Sequence, residues 1–236
     1  AAALTGVGVC MPLIMIVTAF AAFAGYGGAP RASIAEGAGE SEKSERIMGN
    51  CLTMLVITAL VLTVLFESFA EPLLLMFGAS ENTIGYALDY MRIYALGTIF
   101  VQLTLGMNAY ITAQGFATVS MKTVLIGALL NTALDPLFIF VLGLGVRGAA
   151  IATVLSQIAS CLYVLHILFG KTIPIRITFG GYSFAIMKRI LTVGFTPFLI
   201  IAIDNVMIIA MNAVLQRYAP AGQGDSFITC ATIVQS

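Results

Sequence analysis

The sequence predicts an all-α fold, a polytopic transmembrane helix bundle. Three observations carry this. Of 236 residues, 60% are hydrophobic and only 9% are charged, whereas a soluble domain averages about 25% charged. The apolar residues fall in runs of roughly twenty or more, the length that crosses a hydrocarbon core about 30 Å thick as a helix. Short stretches rich in Gly, Pro and charge separate the runs. Lys+Arg and Asp+Glu both number 11, so the formal net charge is zero and no basic excess points to nucleic acid.

The elements follow in order. Leu4 to Ala24 reads as a first span, with Pro12 near its start. GYGGAPRASIAEGAGESEKSER follows, Gly-rich and then charged. It lacks the strand and the Lys-Ser/Thr of a phosphate-binding loop, and reads as small-residue helix packing leading into a solvated loop. Glu40 to Arg46 alternates acids and bases, as an aqueous helix start does. Ile47 to Phe66 is the second span, with Glu67, Glu71-Pro72 and Glu81 in its exit loop. The third runs from Ile84 to Ala113. There Asp89 and Arg92 are expected to pair at i,i+3, and Tyr86, Tyr90 and Tyr94 to sit at the membrane interface. Ser120 to Leu142 is the fourth span and Val146 to Phe169 the fifth, joined at Gly143-Leu144-Gly145. GKTIPIRITFGGYS is the most polar connection and the candidate linker between bundles. A short amphipathic start, Phe184 to Ile190, leads into a sixth span that ends near Leu215, and a seventh begins near Phe227. The chain opens and closes inside apolar runs, with no signal peptide, so an internal piece of a longer protein is expected.

Orientation follows from the basic residues. One set of alternate loops holds Arg31, Lys43, Arg46, Lys122, Lys171, Arg176, Lys188 and Arg189; the other holds only Arg147 and Arg217. The first set is assigned to the cytoplasm. Cys10, Cys51, Cys161 and Cys230 stand scattered through apolar runs, without CxxC or a Cys/His cluster, and read as packing residues. His166 reads as an interfacial histidine. No Ser-His-Asp set, HExxH or GxSxG is present, so no enzyme is expected.

The chemistry-bearing residues are those in the wrong solvent. Asp135 is mid-span, and Pro136 removes the backbone hydrogen bond to Thr132 and bends the helix. Asn131 is four residues earlier, on the same helical face. Asp135 lies nine residues before Leu144 and Thr153 nine after it. In an antiparallel hairpin both sit about 13 Å from the turn. An intramembrane carboxylate costs about 2.5–3.5 kcal/mol or more and marks a functional site by default. Asn131, Asp135, the Thr132 carbonyl and Thr153 offer the oxygens that a hard cation such as Na⁺ takes, while a proton needs only the carboxylate. Asp204 and Asn205, mid-span in the sixth run, together with Gln157, Asn108 and Gln114, are candidates for lining a substrate cavity or for packing helices through hydrogen bonds.

The run NTALDPLFIFVLGLGVRGAAIATVLSQ resembles the fifth and sixth helices of multidrug and toxic compound extrusion (MATE) transporters. GGAPRASIAEGAGESEKSERIMGN resembles that family's second-helix exit, YMRIYALG its fourth-helix start and GFTPFLIIAIDNVMIIAMNAVL its seventh helix. The resemblance implies part of a twelve-helix, two-lobe transporter. Residues 1–170 would be an N-terminal lobe lacking its first helix, 171–185 a cytoplasmic interlobe linker, and 186–236 the start of the C-terminal lobe. It also implies export of organic, often cationic, compounds in exchange for Na⁺ or H⁺. No cofactor is implied, and no metal beyond a possible Na⁺ at Asp135. Asp135, Asn131 and Thr153 match the family's N-lobe ion site, whose first-helix Asp lies outside this chain. Partners would be small organic substrates and the bilayer, the location the plasma membrane of a bacterial or archaeal cell, and the full-length state a monomer. The alternatives are a lipid-linked precursor flippase of the same superfamily, disfavoured by Arg92 being the one arginine within a span, and a seven-span receptor or membrane scaffold.

Overall fold

The computed structural model describes residues 2–170, 172–218 and 230–231. Six helices in it are long and apolar enough to cross a membrane. They are α1 (Ala2–Gly37), α2 (Ser41–Met76), α3 (Ile84–Ala113), α4 (Ala117–Pro136), α5 (Gly145–Phe169) and α6 (Phe184–Tyr218), with a π-helical turn at Leu137–Val141 after α4. The seventh span lies outside the described residues, apart from residues 230–231.

Two elements outrun their expected ends. α1 continues from Ala24 to Gly37, so the glycine-rich stretch is helix. The cause is close packing: a Cβ on Gly25 would stand 2.7 Å from Gly106 Cα of α3, and one on Gly27 would stand 2.3 Å from the Ile190 carbonyl oxygen of α6. α2 likewise runs past Phe66, through a kink at Phe69 (φ −125°, ψ 21°), to Met76. Pro72 stands three residues beyond the kink, where it cannot bond back along the helix. Glu67 and Glu71 are exposed on this terminal segment rather than in a loop. At its other end α2 opens as expected, with Lys43–Glu40 and Arg46–Glu42 ion pairs at i,i+3 and i,i+4.

α1 and α3 are the centre of the bundle. α1 packs against α2, α3 and α6; α3 packs against α1, α2 and α5; α4 lies outside, mainly on α5. The core forms two stacked clusters. One, around Val9, Leu13, Phe66, Leu74, Met91 and Tyr94, fills the end where α1 begins. The other, around Met48, Leu55, Met107, Tyr110 and Leu168, fills the opposite end. Leu60, Val61 and Val64 of α2, Val124 and Leu129 of α4, and Ile203, Val206 and Met207 of α6 are exposed apolar side chains, as a lipid-facing surface requires.

The segment 172–183 between α5 and α6 carries no helix, yet it belongs to the core. Ile173, Ile175 and Ile177 are buried in the second cluster. Two amides fasten its backbone. Gln114 Oε1 accepts from the Ile175 N–H at 2.8 Å. Asn50 Oδ1 accepts from the Ser183 N–H at 2.9 Å, and its Nδ2 donates to the Gly181 carbonyl at 3.3 Å.

Two interfacial assignments are corrected. Tyr90 and Tyr94 are buried and stack on each other with centroids 6.0 Å apart, while Tyr86 is exposed. Asp89 pairs not with Arg92 but with Arg147, whose Nη2 donates to Asp89 Oδ1 at 2.8 Å. That bond ties the start of α5 to α3, and gives Arg147 a reason to sit at the sparsely basic end of the bundle.

Candidate functional site

The site is built by a hairpin. α4 rises to Pro136, widens into the π turn, where the Leu142 N–H bonds back to Leu137 O at 2.9 Å, and reverses into α5. A π turn is a common companion of functional sites because it re-aims the side chains beside it. Gly143 (φ 66°) and Gly145 (φ 55°) supply the left-handed backbone that the reversal needs. The result sets Asp135 and Asn131 of α4 across from Thr153 of α5.

Asn131 is the hub. Its Nδ2 donates to Asp135 Oδ1 and to Thr153 Oγ1, both at 3.4 Å. Thr153 Oγ1 in turn donates to the Ala149 carbonyl at 3.0 Å, which fixes its rotamer. The equal-depth argument from sequence therefore lands on a single cluster. Asp135 is half-buried, and its carboxylate accepts from the Asn131 amide. The Thr132 side chain turns outward and bonds Ala128 O at 2.8 Å.

Sequence reasoning missed one member. Tyr90 of α3 is buried, and its hydroxyl reaches Thr153. Depth was the available signal. Tyr90 lies six residues inside the N-terminal end of α3, about 9 Å down at 1.5 Å per residue, near the level of Asp135.

Below the cluster a cavity of about 280 Å³ opens between α3, α4 and α5, lined by Thr104, Asn108, Thr123, Gly127, Asn131, Thr153, Ser156, Gln157 and Ser160 among others. Four of the sequence candidates (Asn131, Thr153, Gln157 and Asn108) thus share one chamber. The others do not join it. Gln114 caps the 172–183 segment. Asn205 is buried in the α1–α6 contact and donates from Nδ2 to the Pro12 carbonyl at 3.0 Å. Asp204, its neighbour, is exposed. Among the described residues, no group of three or more His, Cys, Asp or Glu is placed to hold a metal ion.

The family model MatE matches residues 1–137. The multidrug export protein MepA of Staphylococcus haemolyticus is 28% identical over 229 residues, covering 95% of this chain and 51% of the relative. Among solved structures, the MATE multidrug transporter DinF-BH in complex with R6G is 31% identical, with a TM-score of 0.92 over 99% of this chain and 52% of that one. A multidrug resistance MATE family transporter of the MOP superfamily, in its inward-facing conformation, is 27% identical with a TM-score of 0.92. The chain spans about half the length of the relatives it matches.

Proposed function

The chain belongs to the MatE family of multidrug efflux transporters, and from that footing we propose that it is the ion-binding half of a secondary antiporter. It is a multi-pass membrane protein of a family of transporters, not enzymes. On the proposed reading, residues 1–170 make up most of the N-terminal lobe, 171–185 the link between lobes, and 186–236 the start of the C-terminal lobe. The whole protein exports organic, cationic compounds in exchange for Na⁺ or H⁺.

The observation that carries this reading is the Asp135 cluster. A carboxylate, an amide and a hydroxyl from two helices converge within 3.4 Å contacts inside a membrane span. Asn131 turns its N–H group, not its carbonyl, toward Asp135 and Thr153. Loading Na⁺ therefore requires the amide to rotate and present Oδ1, giving three oxygens of the kind hard cations take. A proton would instead neutralise Asp135 and turn it from acceptor to donor. Either change rearranges the α4–α5 contact. Coupling then requires only that ion and organic cation favour different lobe arrangements.

The test uses the full-length protein in liposomes, with Na⁺ and H⁺ gradients imposed separately. Efflux of a fluorescent organic cation is expected with one gradient or the other. Asp135→Asn is expected to abolish it while the protein inserts normally. Wild-type efflux by that variant refutes the proposal.

A further inference from the structure

The cavity does not stop at Thr153. Its polar wall continues toward the end of the bundle that carries Lys122 and the 172–183 segment. On α5, Gln157 lies four residues beyond Thr153 and Ser160 three beyond that, each about one turn on. On α3, Thr104 and Asn108 repeat the same step. The lining has neutral oxygens and amides and no charge.

Two of these groups are unfinished. Gln157 Oε1 and Asn108 Oδ1 are buried without a hydrogen-bond partner among the described residues. Such an orphan is destabilising, unless water or a cation completes it. Both belong to residues that line this cavity, and the cavity is roomy and polar enough for several waters. α4 and α5 approach closely along its wall: a Cβ on Gly127 of α4 would stand 2.6 Å from Ser160 Oγ of α5.

We propose that this chamber is a hydrated passage inside the α3–α4–α5 wall that conducts the coupling cation or proton between the Asp135 cluster and the basic, cytoplasmic end of the bundle. Ion and organic substrate would then travel by separate routes. Neutral oxygens suit conduction, since they replace hydration without holding the ion tightly. The proposal rests on Asp135 being the ion site, and its test separates the two ideas.

The test uses the full-length protein carrying no native cysteine and shown to transport. Ser160→Cys, Thr123→Cys and Gln157→Cys are introduced singly, in inside-out and right-side-out vesicles. A membrane-impermeant methanethiosulfonate ammonium reagent is applied to each. Ser160→Cys and Thr123→Cys are expected to react from the cytoplasmic side roughly tenfold or more faster than native Cys161 restored alone, because thiol reactivity follows access. Cys161, at 2% exposure, is as buried as Ser160 and Thr123 but does not line the cavity, so a faster reaction at the other two reads access through the passage. Gly127→Leu places a bulky side chain in the lining between Thr123 and Gln157, and is expected to protect Gln157→Cys and to leave Thr123→Cys reactive. No cytoplasmic reaction at Ser160→Cys or Thr123→Cys, with transport lost in Asp135→Asn, overturns the passage alone. Cytoplasmic reaction with undiminished transport by Asp135→Asn overturns the ion-site reading and with it the role of the passage.

Discussion

The contact between α1 and α6 rests on two glycines, and replacing one of them gives a worked prediction. A Cβ on Gly194 would stand 1.8 Å from the Phe23 carbonyl oxygen and 2.8 Å from its carbon, where real Cβ atoms essentially never come under 3.0 Å. Both obstacles are backbone, so no rotamer change relieves them and the helices must part by roughly an ångström. Overpacking of this kind costs about 1–3 kcal/mol. Alanine recovers up to about 1 kcal/mol over glycine in a helix. The separation also loosens Phe20 and Phe23 of α1 from Phe198 of α6, now at centroid distances of 5.3 and 5.0 Å. The net expectation for Gly194→Ala is a loss of about 1–2 kcal/mol, read from SDS-titrated unfolding of the purified full-length protein. Gly27→Ala should lose a similar amount. The double variant should lose less than the two together, because one gap accommodates both methyl groups. Gly85→Ala on α3, with nothing within 4 Å of its Cβ, is the control and should be neutral or slightly stabilising. A Gly194→Ala protein as stable as wild type, or a double variant that is fully additive, would refute the reasoning.

Other expectations concern the two ends of the bundle. Asp89→Asn and Arg147→Gln should lower the thermal midpoint by the same small amount, and the double variant by no more than either single. Strictly additive shifts would show that the 2.8 Å pair is not what either residue contributes. At the other end, Gln114→Leu leaves the Ile175 N–H without its acceptor, a loss of about 1–3 kcal/mol. Limited trypsin digestion should then cut at Lys171 and Arg176 sooner than in wild type, and Asn50→Leu should act in the same direction. Unchanged digestion in both variants would mean that the isoleucines alone hold the segment down.

What the sequence made legible depended on how local the physics was. Spans are set by continuous apolar length, so all six described helices were expected. Asp135, Asn131 and Thr153 were legible because helical spacing and equal depth from a turn are short-range geometry. The glycine-rich end of α1 was only half legible. Glycines read alike in a loop and in a tight crossing, and what decides between them here is Gly106 and Gly194, far along the chain. Tyr90 and Tyr94 were placed at the interface because tyrosines near charges sit there. α3 is instead enclosed by α1, α2 and α5, which turns both rings inward. Asp89 had a nearer cation in Arg92, and only the folded hairpin brings Arg147 to it. Gln114 and Asn205 looked like cavity residues because a polar group in an apolar run always does. Their real partners, the Ile175 N–H and the Pro12 carbonyl, are backbone groups that no side-chain pattern announces.

The double fastening of the 172–183 segment has a mechanical consequence. Asn50 grips the chain at Gly181 and Ser183, immediately before α6 begins at Phe184. The foot of α6 is therefore a bearing seated on α2, not the end of a slack tether. α6 is 35 residues long, about 52 Å as a straight rod, so a tilt of about 10° about that foot carries its far end through roughly 9 Å. The Gly27–Gly194 crossing lies ten residues up the rod, about 15 Å from the foot, where the same tilt sweeps only about 2.6 Å. Two backbones can stay in contact there while the opposite end moves by nearly a helix diameter. The geometry gears small rotations at the foot of α6 into large displacements at the opposite end of the bundle.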